Sequence, residues 1–308
     1  MPAVQNAALQ NVLVIGGPTA SGKSGLALDV ARVRGGVIIN ADSMQVYAGL
    51  PVLTAQPSAE DLAAAPHRLY GTLSPDDLCS AARWRDMAMH EIDAALAHNS
   101  LPVIVGGTGF YIRALTEGLS PMPAVPEEIR RRLGAEMAAQ GNAAFHARLA
   151  AQDPVMAARL HPGNTQRLVR AMEILEHTGK SLAYWQSLPP VPPPAHLRFI
   201  KIALLPPRTW LYERCDERFS QMIARGGLDE ARAFPPPAGD NIWPLHKALG
   251  YPELRDFIDG RASQNDAMAA AQQSTRRYAK RQITWFRHQM KADIILDAPD
   301  AAQLAGAF

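Results

Sequence analysis

The run Gly17-Pro18-Thr19-Ala20-Ser21-Gly22-Lys23-Ser24 fits the pattern G-x-x-x-x-G-K-[ST] at every fixed position. It follows the apolar stretch Val12-Leu13-Val14-Ile15 and precedes the helical composition of Leu26–Ala31. A strand that ends in such a loop and opens into a helix cradles phosphate. Gly17 and Gly22 are expected to take backbone angles closed to side chains, so that successive N–H groups curl around an anion. Lys23 brings a point charge to the same phosphates, and the Ser24 hydroxyl suits a magnesium ion. A diphosphate on a nucleotide and one on a hydrocarbon look alike to this loop, so the pattern leaves the compound open.

Three further segments carry chemistry. Asp42, in Asn40-Ala41-Asp42-Ser43-Met44-Gln45-Val46-Tyr47, follows the second apolar run. In an open parallel sheet that position faces the same crevice as the phosphate loop. Asp42 reads as a general base, as an acidic partner of Ser24 for magnesium, or as a helix N-cap with no chemistry. Thr108, in Gly106-Gly107-Thr108-Gly109-Phe110-Tyr111, offers a hydroxyl at the same edge, and the glycines around it are expected to let backbone approach a ligand. Arg214 and Arg218, four apart in a helical stretch, read either as a diphosphate clamp or as partners of Glu213 and Glu217 in helix salt bridges.

The elements that must position these residues are legible as short apolar runs with turn residues behind them. Val12–Ile15, Val37–Ile39, Val103–Val105, Phe199–Leu205 and Ile294–Leu296 read as strands, and Ala82–His98 as a helix between two of them. Near-continuous apolar strands alternating with helices predict an α/β fold: a P-loop-type parallel sheet with helices on both faces. From about Leu119 the pattern changes. Prolines cluster over Ser120–Pro126 and again over Pro189–Pro194, and the composition between them is helical. The reading is a core made of 1–118 and 196–308 with an all-helical insertion at 119–195. Helices that simply pack on the sheet are the plainer alternative.

Gln272 to Lys291 carries Arg276, Arg277, Lys280, Arg281, Arg287 and Lys291, with no acid between Asp266 and Asp293. On a helix, Arg277, Lys280, Arg281, Thr284, His288 and Lys291 share one face. A basic face without acidic neighbours suits nucleic acid or multiple phosphates better than plain solvent. It has to arise from local segregation, because the net charge over all 308 residues is only +2.

The chain is long enough to bury roughly three quarters of its unfolded surface. Its two cysteines, Cys79 and Cys215, match no metal-ligand spacing and point to a reducing compartment. Met1–Gln5 lacks the charged and apolar segments of a signal peptide, and no apolar run approaches a membrane span. A cytoplasmic location with no membrane contact is expected.

Taken together, Gly17–Ser24, Asp42–Tyr47, Gly106–Tyr111, Gln166–Ala171 and Tyr278–Arg287 closely resemble the tRNA dimethylallyltransferases, also called tRNA isopentenyltransferases. The resemblance runs along essentially the whole chain, in the family's order. It implies transfer of a dimethylallyl group from dimethylallyl diphosphate to N6 of the adenosine 3′ of the anticodon, position 37, with the phosphate loop holding the isoprenoid diphosphate. It also implies roles for particular residues. Asp42 would accept the N6 proton, and Thr108 would lie in the reaction channel. Asp42, Ser43, Met44, Gln45, Arg130, Gln166, Arg167, Leu168, Val169, Arg170, Lys247, Gly250 and Tyr251 would contact tRNA at its anticodon stem-loop. Arg218 is the preferred diphosphate-binding arginine. The basic helix adds Lys280 and Arg281 to the tRNA surface, and magnesium, with Ser24 as a ligand, is the implied cofactor. A monomer is expected.

Two departures stand out: Leu53-Thr54-Ala55-Gln56-Pro57 has Leu and Gln where the family commonly has Gly and Lys, and Pro252 follows Gly250-Tyr251 where a polar residue is usual. With no C-terminal zinc finger, the bacterial form of the family is the better match. The competing reading is a small-molecule or nucleotide kinase built on the same loop.

Overall fold

A computed structural model describes residues 9–237 and 243–304. Met1–Gln5, read above for a targeting signal, lie outside them. Six strands form one sheet: β1 (Gln10–Gly16), β2 (Gly36–Asn40), β3 (His67–Arg68), β4 (Leu101–Gly106), β5 (Leu197–Leu204) and β6 (Ile294–Leu296). Their order is β3-β2-β4-β1-β5-β6, and every pairing is parallel. The expected α/β parallel sheet is borne out.

The sheet is parallel because its central strands bury both faces. In β1, Val12 and Val14 join one apolar cluster while Leu13 and Ile15 join another, and all four are fully buried. Period-two alternation therefore delivers hydrophobic side chains up and down from one strand. Trp84, Ala88 and Ile92 of the helix Ala81–Ala97 cover the first face, with Phe286 of the helix Gln264–Gln289. Leu26, Ala27, Val30 and Ala31 of the helix Lys23–Arg34 cover the second. The edge strand β3 was not anticipated. It is two residues long, His67-Arg68, and carries no apolar run to announce it.

The helix Gln264–Gln289 is capped by Ser263, whose hydroxyl accepts the Asp266 N–H at 3.1 Å. Its buried row is Ala267, Ala271, Thr275, Ala279, Gln282 and Phe286, spaced by three and four. The helix stops at Gln289, one residue before the buried Met290 turns to extended backbone. Lys291 therefore lies beyond it and off the basic face, contrary to the sequence reading.

The chain divides into two compact units, Met1–Thr116 with Pro193–Phe308, and Glu117–Pro192. The second is helical, with helices at Glu127–Gln152, Pro154–Arg159, Thr165–Thr178 and Leu182–Ser187. It has a core of its own built on Leu133, Phe145, Leu149, Leu168, Met172 and Ile174.

Candidate active site

The phosphate loop leaves β1 and ends at Gly22, the left-handed N-cap (φ 91°) of the helix Lys23–Arg34. The other left-handed residue is Ala20 (φ 62°), not Gly17. Gly17 is required for space, since a Cβ there would stand 2.6 Å from the Leu204 carbonyl oxygen. The first N–H groups of the following helix have no intrahelical partner and are open to an anion. Ser21 is fully buried, and its hydroxyl has no hydrogen-bond partner among the described residues. Lys23 is also buried and donates to the Pro18 carbonyl at 3.2 Å. Burial, then repulsion from Arg218, lowers its pKa to about 8, against the attraction of Asp42.

Arg218, on the helix Arg208–Ala224, reaches this loop: its Nη1 donates to Thr19 Oγ1 at 3.2 Å. Burial presses its pKa down, and the Asp42 carboxylate opposes that shift. Arg214, one turn earlier, is exposed and pairs with Glu217 at 3.1 Å. Arg214 thus makes the helix salt bridge, while Arg218 stands at the phosphate loop.

Asp42 is held by its neighbours to an unusual degree. The fully buried Asn40 side chain accepts the Asp42 N–H at 2.8 Å and donates to the Asp42 carbonyl at 3.0 Å. The same amide donates to the Leu69 carbonyl at 3.0 Å, and the Asn40 carbonyl accepts the Trp84 indole N–H at 2.8 Å. On the side chain of Asp42, Oδ1 accepts the Met44 N–H at 2.9 Å, and Oδ2 accepts no hydrogen bond among the described residues. No helix begins at Asp42, so the helix N-cap reading does not hold: Oδ1 caps a turn instead, and Oδ2 is left open. The field of Asp42 reaches Lys23, Arg218, Tyr70, Tyr111 and Tyr278. Burial first, and Asp42 second, raises the pKa of both Tyr70 and Tyr278.

Thr108 sits across from this turn. Its Oγ1 accepts the Ser43 N–H at 2.9 Å and donates to the Ser43 hydroxyl at 3.2 Å, while its own N–H bonds the Ala41 carbonyl. Each glycine around Thr108 is needed for space within the fold. A Cβ at Gly106 would meet the Ala41 backbone at 2.2 Å, at Gly107 the Gln282 amide at 2.3 Å, and at Gly109 the Trp285 ring at 2.2 Å.

Lys280, Arg281 and Arg277 are exposed on the helix Gln264–Gln289 and, with Thr284, line a surface cavity of about 390 Å³. Arg281 lies over the Tyr278 ring, and none of the three forms an ion pair among the described residues. Arg276 does: it holds Asp216 of the neighbouring helix at 2.6 Å, so the helix is not wholly without an acidic partner.

The other residues implied as tRNA contacts differ in their exposure. Leu168 is fully buried among Leu133, Phe145 and Met172, and Val169 packs against the same core. Tyr251 is buried, and its hydroxyl donates to the Phe234 carbonyl at 2.7 Å. Gly250 is left-handed (φ 86°), and a Cβ there would meet Phe219 at 2.3 Å. Gln45 spends its amide on the Thr54 and Ala55 carbonyls at 2.9 and 2.8 Å. Gln56, at the departure from the family pattern, turns inward to the Tyr47 carbonyl at 2.8 Å. Gln166, Arg167 and Lys247 are exposed, as is much of Arg130, which pairs with Glu127 at 3.4 Å. Arg170 pairs with the buried Glu173 at 3.0 Å.

Comparison with known proteins decides the family. The IPP transferase family model matches residues 45–289. The tRNA dimethylallyltransferase of Rhodospirillum centenum is 52% identical over 296 residues, covering 96% of this chain and 94% of its own. That of Paramagnetospirillum magneticum is 53% identical over 282 residues, covering 92% and 89%. This chain belongs to the tRNA dimethylallyltransferase family. Among solved structures, the tRNA isopentenylpyrophosphate transferase of Bacillus halodurans superposes with a TM-score of 0.67 at 32% identity, covering 94% of this chain and 91% of that one. A eukaryotic dimethylallyltransferase, described as acting on tRNA, matches with a TM-score of 0.75 at 26% identity, covering 96% and 75%.

Residues that organise the site and were missed in the sequence are Asn40, Trp84 and Gln282. Asn40 had a signal, a polar residue closing an apolar strand. Gln282 had one too, an amide inside the apolar row of a helix. Trp84 had none, because its partner is a main-chain carbonyl 44 residues away.

Proposed function

We propose that this protein transfers a dimethylallyl group from dimethylallyl diphosphate to N6 of adenosine 37, the base 3′ of the anticodon, in tRNA. The observation that carries the reading is the convergence of Lys23, Arg218 and Asp42, each within electrostatic reach of the other two. It gathers two cations for a diphosphate and one carboxylate oxygen without a hydrogen bond for a proton.

In this mechanism the N6 lone pair attacks the allylic carbon, the carbon–oxygen bond breaks, and its electron pair leaves on the diphosphate. The N6 proton goes to Asp42 Oδ2. Lys23, Arg218 and the amides of the loop meet the growing negative charge in a site already organised for it. The allylic carbon bears positive charge well, so a weak nitrogen nucleophile needs little beyond positioning and proton removal. An exocyclic amine in the anticodon loop reaches such a pocket only with its base turned out of the stack. Cationic Lys280 and Arg281, together with exposed Arg130, Gln166, Arg167 and Lys247, suit the RNA backbone.

The donors near the loop fit magnesium. The Ser24 residue is exposed in the first helical turn, where its hydroxyl would hold magnesium, with the diphosphate supplying further hard oxygens. No cluster of three or more His, Cys, Asp or Glu among the described residues could hold a metal alone, which favours a cation arriving with the diphosphate. Bound there, magnesium would draw charge from the departing diphosphate.

No helix among the described residues is long and apolar enough to cross a membrane. We read the protein as a cytoplasmic monomer, which fractionation and sedimentation test directly. The activity is tested by mixing it with labelled dimethylallyl diphosphate, magnesium and unmodified tRNA. Label should enter tRNA at position 37, and ATP should neither compete well nor turn over. Magnesium-dependent ATP turnover without transfer would overturn the reading in favour of a kinase.

A further inference from the structure

Gln282 stands on the inner row of the helix Gln264–Gln289, directly after Lys280 and Arg281 on the exposed face. It is 5% exposed, and both ends of its amide are engaged. Oε1 accepts the Thr19 N–H of the phosphate loop at 2.8 Å, and Nε2 donates to the Gly107 carbonyl at 2.8 Å. One side chain thus spans the loop after β1 and the turn after β4. Gly107 accommodates it, since a Cβ there would fall 2.3 Å from Nε2.

The consequence passes on through Thr19, whose hydroxyl accepts from Arg218 at 3.2 Å. A continuous line of hydrogen bonds therefore runs from Gly107 through Gln282 and Thr19 to the Arg218 guanidinium. The bond to Oε1 occupies the Thr19 N–H. Apolar packing needs none of this. A methionine would fill similar space and leave the Thr19 N–H and the Gly107 carbonyl without partners.

We propose that Gln282 is a positioning residue for the diphosphate: it fixes Thr19 and, through it, Arg218, and so ties the donor site to the helix that presents Lys280 and Arg281. This rests on the functional reading above for the identity of the donor, but not for the binding of diphosphate itself.

The test is the affinity of Gln282→Met for inorganic diphosphate by calorimetry, alone and combined with Arg218→Gln. Losing the bond that orients Thr19 should weaken diphosphate about tenfold, the equivalent of one buried hydrogen bond. The donor KM should rise in parallel while the Kd for tRNA stays within about twofold, a split that general loss of structure does not produce. In the Arg218→Gln background the second change should add less than about twofold, because both act through one guanidinium. Unchanged diphosphate affinity in a folded Gln282→Met variant, or full additivity with Arg218→Gln, overturns the proposal. If Gln282→Met does not fold, Gln282→Asn replaces it. Asparagine stays polar but is too short to span both loops, and wild-type diphosphate affinity in that variant also overturns the proposal. If the wild type binds diphosphate yet transfers no dimethylallyl group, the functional reading fails while the Gln282 comparison still decides this one.

Discussion

Trp84 donates its indole N–H to the main-chain carbonyl of Asn40 across 2.8 Å, and Asn40 in turn grips the backbone of Asp42 from both sides. The indole is fully buried and stacks on Tyr111 with ring centroids 4.7 Å apart. Trp84→Phe keeps most of the stacking and leaves a buried carbonyl without its donor. It should cost about 1–3 kcal/mol in denaturant unfolding. Turnover should fall as well, because the turn that aims Asp42 is loosened.

Asp42→Asn removes the proton acceptor and keeps the shape. Oδ1 still takes the Met44 N–H, so the turn survives. Turnover should fall by about 10²–10⁴, the range of a positioned acid–base group, with tRNA affinity nearly unchanged. Single-turnover transfer and tRNA binding measured side by side check this; near-normal turnover would reduce Asp42 to a turn cap.

Lys23 gives a pH dependence of defined sign. Its pKa in the folded protein is lowered to about 8 from 10.5, chiefly by burial. Between those values the unfolded chain binds more protons at this site, so its contribution to ligand-free stability rises with pH. Diphosphate affinity moves the other way, because the ammonium that meets the anion is lost. The donor KM should therefore climb above about pH 8, and Lys23→Arg should remove that limb from the profile.

The exposed basic face should read out in salt. Replacing Lys280 and Arg281 together with Ala should weaken all substrate tRNAs alike. The slope of log K against log salt should flatten by roughly 0.7–0.9 for each RNA phosphate no longer neutralised. Donor affinity should hold, and an unchanged slope would assign the face to solvent.

Within the helix Thr165–Thr178, two neighbours should separate cleanly. Leu168→Ala opens a cavity in the core of the Glu117–Pro192 unit and should cost about 2–5 kcal/mol of its stability. Arg167→Ala, on the exposed side, should leave stability alone and weaken tRNA. Thermal melts and filter binding on the two variants tell packing from RNA binding.

What was legible in the sequence follows from the range of the forces involved. Strands β1, β2, β4 and β5 announce themselves because they lie inside the sheet and run apolar over consecutive residues, and the edge strand β6 is apolar throughout although Ile295 is exposed. The phosphate loop is legible because its chemistry is local, eight residues bent by their own backbone. The choice between Arg214 and Arg218 was not, since helical spacing offers both and only the tertiary approach to Thr19 separates them. The packing need for the glycines of Gly106–Gly109 was hidden for the same reason. What denies them a side chain is Ala41, Gln282 and Trp285, neighbours brought up by the fold. Leu168 and Tyr251 belong to recognisable motifs, yet their side chains are buried in the core, and Gly250 leaves no room for a side chain beside Phe219; a motif match cannot see burial.

The Gln282–Thr19 hydrogen bond joins residues 263 positions apart. During synthesis the phosphate loop therefore leaves the ribosome long before the residue that completes it. A chain cut short before residue 282 carries the whole G-x-x-x-x-G-K-S signature and lacks the amide that orders its third residue, the Gln282 and Trp285 side chains that close on Gly107 and Gly109, and the Phe286 ring over Gly16. Fragments of this protein would display the sequence of a phosphate site without its architecture. The phosphate site is therefore complete only when the last large helix is in place.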